Sequence, residues 1–321
     1  MTAFSSLPQA SPSGSAHIRQ PLWLSTLTRL SHYVLFYVLI FIAIRGAASS
    51  QDVLPPSEST CVSRDARNQH AQQYPELVSG NLNGTTLIVP ISLDTARRLI
   101  PTEYAIVEKA YRTLLPSFPD GMYPMVAQIV HDHDIQVFAY NMSLSDFTRA
   151  SFEFPFLDIF GDGYTSFRWT GTSMISASNT LAIEGAEGYG MTVHPASFNP
   201  PCDAYKALPG GAMYASSRSS NETRSKFMTL ETRPSLRDVP YPLSFIQNVT
   251  NQPVFSDTKV CDYYLRLFNS TLADTATPVV GKVSANLEPF SGPQSWNGIY
   301  GWRVATPFLE PPLPSECSPT A

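Results

Sequence analysis

The sequence predicts a mainly β, α+β chain: one domain of short strands with two or three short helices, closed into a barrel or stacked as a sandwich. Hydrophobic residues make up 43% of the chain and charged residues only 15%, the balance of a globular protein rather than a disordered one. The 28 prolines are spread along the chain, which disfavours long helices and favours short strands joined by turns. Runs of β-branched and apolar residues recur between turn signals. At 321 residues an all-β chain is still compatible with a single domain.

Arg19 and Arg29 precede the apolar run Tyr33 to Ile44, and the small residues Gly46 to Ser50 follow it. Residues 1–48 therefore read as a signal peptide cleaved near Ala48. The run of 12 is short of the roughly 20 residues a spanning helix needs. The long leader before it keeps an uncleaved signal anchor as the alternative. Residues 49–80, polar with Pro55, Pro56 and Pro75, form an irregular lead-in, and residues 81–310 carry the regular pattern.

TTLIVPIS, Thr85 to Ser92, is a strand, and LDTARRLIP is a short helix with Asp94 as its N-cap and Pro101 as its stop. Tyr123 to Ser143 reads as one or two strands interrupted around HDHD. SFEFPFLDIFG runs through the GDG turn into YTSFRWTG as a hairpin. SMISASNTLAIEG and GYGMTVHPASF continue as strands. Cys202 to Lys226 reads as a surface loop and KVCDYYLRLFNST as a short helix. Strands resume at TPVVGKVSANLEPF, and residues 311–321 form a proline-rich tail.

Removing residues 1–48 takes away three arginines and no acid, moving the formal charge from −5 to −8. That argues against nucleic acid or an anionic membrane as partner. The sequons at Asn83, Asn141, Asn221, Asn248 and Asn269 are candidate glycosylation sites, consistent with secretion or a secretory-pathway lumen. The four cysteines, Cys61, Cys202, Cys261 and Cys317, suit two disulfides in an oxidising compartment. Cys61 with Cys317 and Cys202 with Cys261 is the favoured pairing of the three possible.

His131 and His133 in HDHD point to one face of an extended strand, the geometry two imidazoles need to share a metal, so a cupin-like metal enzyme is one alternative. No glutamate follows at the spacing such a site needs, and a polar strand end is the plainer reading. There is no G-x-S-x-G elbow and no P-loop, and no cofactor is implied. Arg168, among aromatics in SFRWTG, is a carboxylate clamp or a snorkelling arginine. Glu153, alternating with phenylalanines, is exposed or is a buried carboxylate with a raised pKa.

The segments TTLIVPISLDTARRLIPTEYAIV, MYPMVAQIVHD, GDGYTSFRW, NTLAIEGAEGYG and TPVVGKVSANLEPF resemble, in that order, segments of the acetoacetate decarboxylase family, most closely its fungal secreted branch. The resemblance covers most of residues 80–310 and implies a closed antiparallel β-barrel around a hydrophobic pocket. It also implies a lysine, beside a second lysine, that forms a Schiff base with a β-keto acid. The matching segment here offers Glu184, Ala186 and Glu187, and no lysine lies between Lys109 and Lys206. The family's arginine near its first strand has NLNGTT in its place, and Asn141 stands near the place of its carboxylate, a space that Glu153 could take over. His131 and Asp132 match an H-D step of the family and are read as structural.

The fold is thus expected to transfer and the lysine mechanism is not, with Lys206 or Lys282 as the lysines that would have to fold back into the pocket. The expected function is acid/base chemistry on a small or polyketide-like keto or hydroxy compound: decarboxylation, dehydration or cyclisation, in secondary metabolism. Glu187, Glu184 and Glu153 are the candidate proton carriers and Arg168 the clamp. A non-catalytic secreted binding protein for a small hydrophobic metabolite is the alternative.

Overall fold

The computed structural model describes residues 67–219, 225–256 and 260–318, all of which belong to one compact unit. The expected signal segment, Cys61 and Asn221 lie outside the described residues.

Nine strands form a closed ring. They are β1 (Val78–Ser92), β2 (Met122–Val137), β3 (Phe147–Asp158), β4 (Thr172–Ser176), β5 (Thr192–Asn199), β6 (Met213–Ser219), β7 (Phe227–Pro234), β8 (Thr277–Asn286) and β9 (Gln294–Glu310). Each pairs with the next, and β9 returns antiparallel to β1, with Val78 opposite Glu310. Closure leaves no barrel edge unpaired.

The barrel is mixed rather than purely antiparallel, because β4 and β5 run parallel, Thr172 opposite Thr192. A parallel pair needs a crossover. Helix α3 (Thr180–Gly188) supplies it, in a stretch whose apolar residues suggest strand. The Asn179 side chain accepts a hydrogen bond from the Ala182 N–H and so caps that helix. Three further short helices among the described residues are α1 (Leu93–Leu99), α2 (Glu108–Leu114) and α4 (Leu243–Thr250). The α1 cap is Ser92, whose Oγ accepts from the Thr95 N–H; Asp94 sits inside the first turn instead.

Burial divides the barrel into two arcs. Along β1 and β2 nearly every residue is buried, so both faces are covered. On β5 and β7 burial alternates, the mark of one face in the lumen and one in water. The outer face of the first arc is covered by α1, α2, α4 and a small outer sheet. That sheet includes Phe167–Trp169, Val254–Phe255, Val260–Asp262 and Ser315–Glu316. KVCDYYLRLFNST contributes the strands Val260–Asp262 and Leu265–Arg266 rather than a helix. The expected loop after Cys202 contains β6.

β3 links the two layers. Up to Glu153 it pairs with β2; beyond a register shift at Phe154 to Leu157 it pairs with Phe167–Trp169. Phe156 takes φ 62° there, and its N–H donates to Gln252 Oε1 at 2.8 Å. Close backbone approach elsewhere requires glycine: a Cβ on Gly301 would lie 2.1 Å from the Thr86 carbonyl oxygen.

The disulfide joins Cys261 to Cys317, with Cα atoms 4.9 Å apart. Cys202 is disulfide-bonded as well. Both expected pairings are therefore replaced, because antiparallel pairing of Val260–Asp262 with Ser315–Glu316 sets Cys261 beside the C-terminal strand.

Candidate functional site

Two polar clusters interrupt the apolar interior, one on each face of the β1–β3 sheet. Opposite residues in an antiparallel pair share a face. The registers therefore place Asn83, His131 and Thr148 on the lumen face, with Asn81 and His133 beside them. Farther along the same face lie Leu87, Ala127 and Ile129. Phe152, Phe290 and Trp296 pack edge to face, with centroids 5.3 to 5.7 Å apart. The lumen is thus apolar at one end and polar at the other.

His131 is 3% exposed. Its Nδ1 shares a 2.9 Å hydrogen bond with Thr148 Oγ1, while its Nε2 is sealed from solvent with no hydrogen-bond partner. Burial lowers its pKa against an opposing pull from Asp146, so the ring is neutral at pH 7. His131 and His133 stack with centroids 5.9 Å apart; the strand runs on to Val137, but it is irregular at Asp134, which takes φ 55° where the register with β1 shifts. Among the described residues no group of three or more His, Cys, Asp or Glu is placed to hold a metal, so the cupin-like alternative lacks its ligand set there.

At the polar mouth a cavity of about 190 Å³ is lined by Asn83, Tyr205, Leu272, Thr275, Arg303, Val304 and Ala305. The Arg303 guanidinium lies 5.1 Å over the Tyr205 ring centroid. Tyr205 Oη donates to Asn83 Oδ1 at 3.4 Å.

The second cluster lies between barrel and outer layer. Arg168 Nη1 is 2.9 Å from Glu153 Oε2, with the two residues 3% and 2% exposed. The Phe154–Trp169 pairing sets them side by side. Gln128 donates to Glu153 Oε1, as does Ser151 at 3.3 Å. Arg149 Nε donates to Asp132 Oδ2 at 2.9 Å. Burial pushes the Asp262 carboxyl up to about 6, against the pull of Arg149 and Arg168. Burial and then Asp262 raise Glu310 well above the usual carboxylate range, and Tyr189 donates to its Oε1 at 3.5 Å.

Of the four expected catalytic residues, the structure therefore brings together Glu153 and Arg168. Glu153 is buried rather than exposed, and Arg168 is paired rather than snorkelling. Glu184 and Glu187 stand exposed on α3, apart from that pair. Lys206 is exposed, donating to Asn199 Oδ1 at 3.0 Å, and Lys282 is exposed opposite Glu231, on the outer face of the barrel. Asn141, Asn248 and Asn269 are exposed sequons. Asn83 is 7% exposed inside the sheet, where a glycan has no room. Arg303, Tyr205, Asp262 and Glu310 were not singled out by sequence. The signal that marks Arg168, an arginine among aromatics on a strand, is equally present in YGWRVATPF around Arg303.

No family model matches the chain, and no curated protein does. Among solved structures it is similar to the enduracididine biosynthesis enzyme MppR with HEPES buffer bound. That likeness has 10% identity and a TM-score of 0.45, covering 86% of this chain and 98% of MppR. It is similar also to MppR complexed with the condensation product of pyruvate and imidazole 4-carboxaldehyde, at 9% identity, TM-score 0.44 and 86% and 100% coverage. The closed barrel rests on the strand pairing itself, not on this likeness.

Proposed function

We propose that the polar end of the lumen binds a small keto or hydroxy compound and processes it by acid/base chemistry at His131. The observation that carries this reading is the His131 Nε2, buried in the lumen without a partner on a neutral imidazole. A neutral histidine whose other nitrogen is fixed by a hydroxyl can take up or give a proton at one defined atom. The apolar far end suits a carbon skeleton, and the sequence resemblance to acetoacetate decarboxylases supports a keto compound as the guest. Glu153 and Arg168 serve here as a mutually neutralising buried pair rather than as reagents, and Glu184 and Glu187 as a solvated helix face. The Cys261–Cys317 disulfide supports maturation in the secretory pathway.

The test is a turnover screen of keto and hydroxy acids by proton NMR with the full chain and the His131→Asn variant. Loss of roughly 10²- to 10⁴-fold in rate is expected for removal of a general acid or base. Unchanged turnover in the variant would sink the assignment. Binding by the wild type without turnover would favour the non-catalytic carrier, which the missing lysines of the EGAEGYG segment also favour.

A further inference from the structure

We propose that the 190 Å³ cavity at the polar mouth is a carboxylate site anchored by Arg303, and that the guest keeps its carboxylate there instead of losing it as carbon dioxide. This deepens the lumen-binding reading and rests on it.

The guanidinium is the starting point. Arginine carries five donors in a planar fork and stays charged at any pH of interest. Arg303 stands on β9 facing the lumen, opposite Thr85 on one side and Thr277 on the other. Its Nη1 is sealed from solvent and has no hydrogen-bond partner. Among the described residues no carboxylate forms an ion pair with it, whereas Arg97, Arg112, Arg149 and Arg168 each have one. A buried donor on a charged group is unfavourable unless something fills it. The Tyr205 ring, its centroid 5.1 Å from the guanidinium carbon, packs against Arg303, and both residues line the cavity.

The cavity fits that role in size and chemistry. Its volume of about 190 Å³ is on the order of six waters at liquid density, room for a short-chain acid. Leu272 and Ala305 give it apolar walls. A planar carboxylate matches the guanidinium fork with two parallel hydrogen bonds; phosphate can do the same, so the preference for an organic acid comes from the apolar walls, which a carbon chain fills and inorganic phosphate does not. No side-chain carboxylate lines the cavity to compete.

A carboxylate so paired is stabilised as an anion. Loss of carbon dioxide moves its electron pair into the carbon skeleton and discharges the ion pair, so the guanidinium raises the barrier to that step. The chemistry left to the site is proton transfer elsewhere on the guest, as in dehydration or cyclisation.

The experiment uses the full chain with acetoacetate, its neutral analogue 2,4-pentanedione and inorganic phosphate as probes. Calorimetry measures affinity, carbon NMR follows acetoacetate over time, and the His131 ring signals report occupancy of the lumen. Acetoacetate is expected to bind at least tenfold more tightly than pentanedione or phosphate. It is also expected to weaken at least tenfold in Arg303→Met and less in Arg303→Lys, and to form acetone no faster than in buffer. Equal binding of acetoacetate by Arg303→Met, with the variant's fold shown by its unfolding transition, would overturn the anchor. So would phosphate binding as tightly as acetoacetate, or acetone release that depends on Arg303. If pentanedione alone shifts the His131 signals, the carboxylate site fails and the lumen reading stands. If no probe shifts them, both fail.

Discussion

Asp262→Asn should stabilise the protein at neutral and alkaline pH. The carboxyl sits in the outer layer with its Oδ1 sealed from solvent and unbonded. Burial raises it from 3.8 to about 6 even though Arg149 and Arg168 pull it down. Because the folded-state value exceeds the unfolded one, the folded protein holds an extra proton between those limits. The stabilisation this brings is complete below about pH 4 and is lost as the pH rises through 6. The displacement is roughly two units, and at about 1.4 kcal/mol per unit the ionised carboxylate costs on the order of 3 kcal/mol by pH 8. Asparagine has nearly the shape of the protonated acid and cannot ionise. The variant should therefore match wild type near pH 4 and exceed it by up to about 3 kcal/mol at pH 8. Urea unfolding at pH 4.5, 6 and 8, followed by the fluorescence of Trp169, Trp296 and Trp302, measures this directly. If Asp262→Asn is less stable than wild type at pH 8, the carboxylate is a needed counter-ion for the arginines and the reasoning is wrong.

Three further substitutions have definite expected outcomes. Glu153→Gln leaves the Arg168 charge buried without its partner and should lower stability by about 3–5 kcal/mol, whereas Glu187→Gln on the exposed face of α3 should stay within about 0.5 kcal/mol in the same unfolding assay. Cys317→Ser opens a disulfide whose cysteines are 56 residues apart, and chain entropy predicts a loss of about 4 kcal/mol. A shift in the urea midpoint of less than a quarter of that size would show that the outer sheet holds its C-terminal strand without help.

The barrel was legible because its cause is written in the chain. Strands such as Thr85 to Ser92 have uniformly apolar or β-branched residues, since both faces are covered, and the later strands alternate because one face meets water. The parallel step at β4 and β5 was not legible. TLAIEGAEG carries as much strand as helix character, and the choice falls to the Asn179 cap and to the need for a crossover. The pairing of Glu153 with Arg168 depends on a register shift at Phe154 to Leu157 that no local pattern announces. Arg303 illustrates the opposite failure. Its sequence signal equals that of Arg168, but only the registers with β1 and β8 show that its side chain enters the lumen while Arg168 lies in the outer layer.

The Cys261–Cys317 bond also changes what cutting the chain would do. The segment it encloses contains β8 and β9, and β9 is the strand that completes the ring against β1. A protease that nicks a loop anywhere between the two cysteines leaves both fragments covalently joined, with the ring-closing strand still tethered beside its partner. In oxidising surroundings such a nick adds only one water to the mass and leaves a single species on a non-reducing gel, and the fragment carrying the ring-closing strand can separate only after reduction.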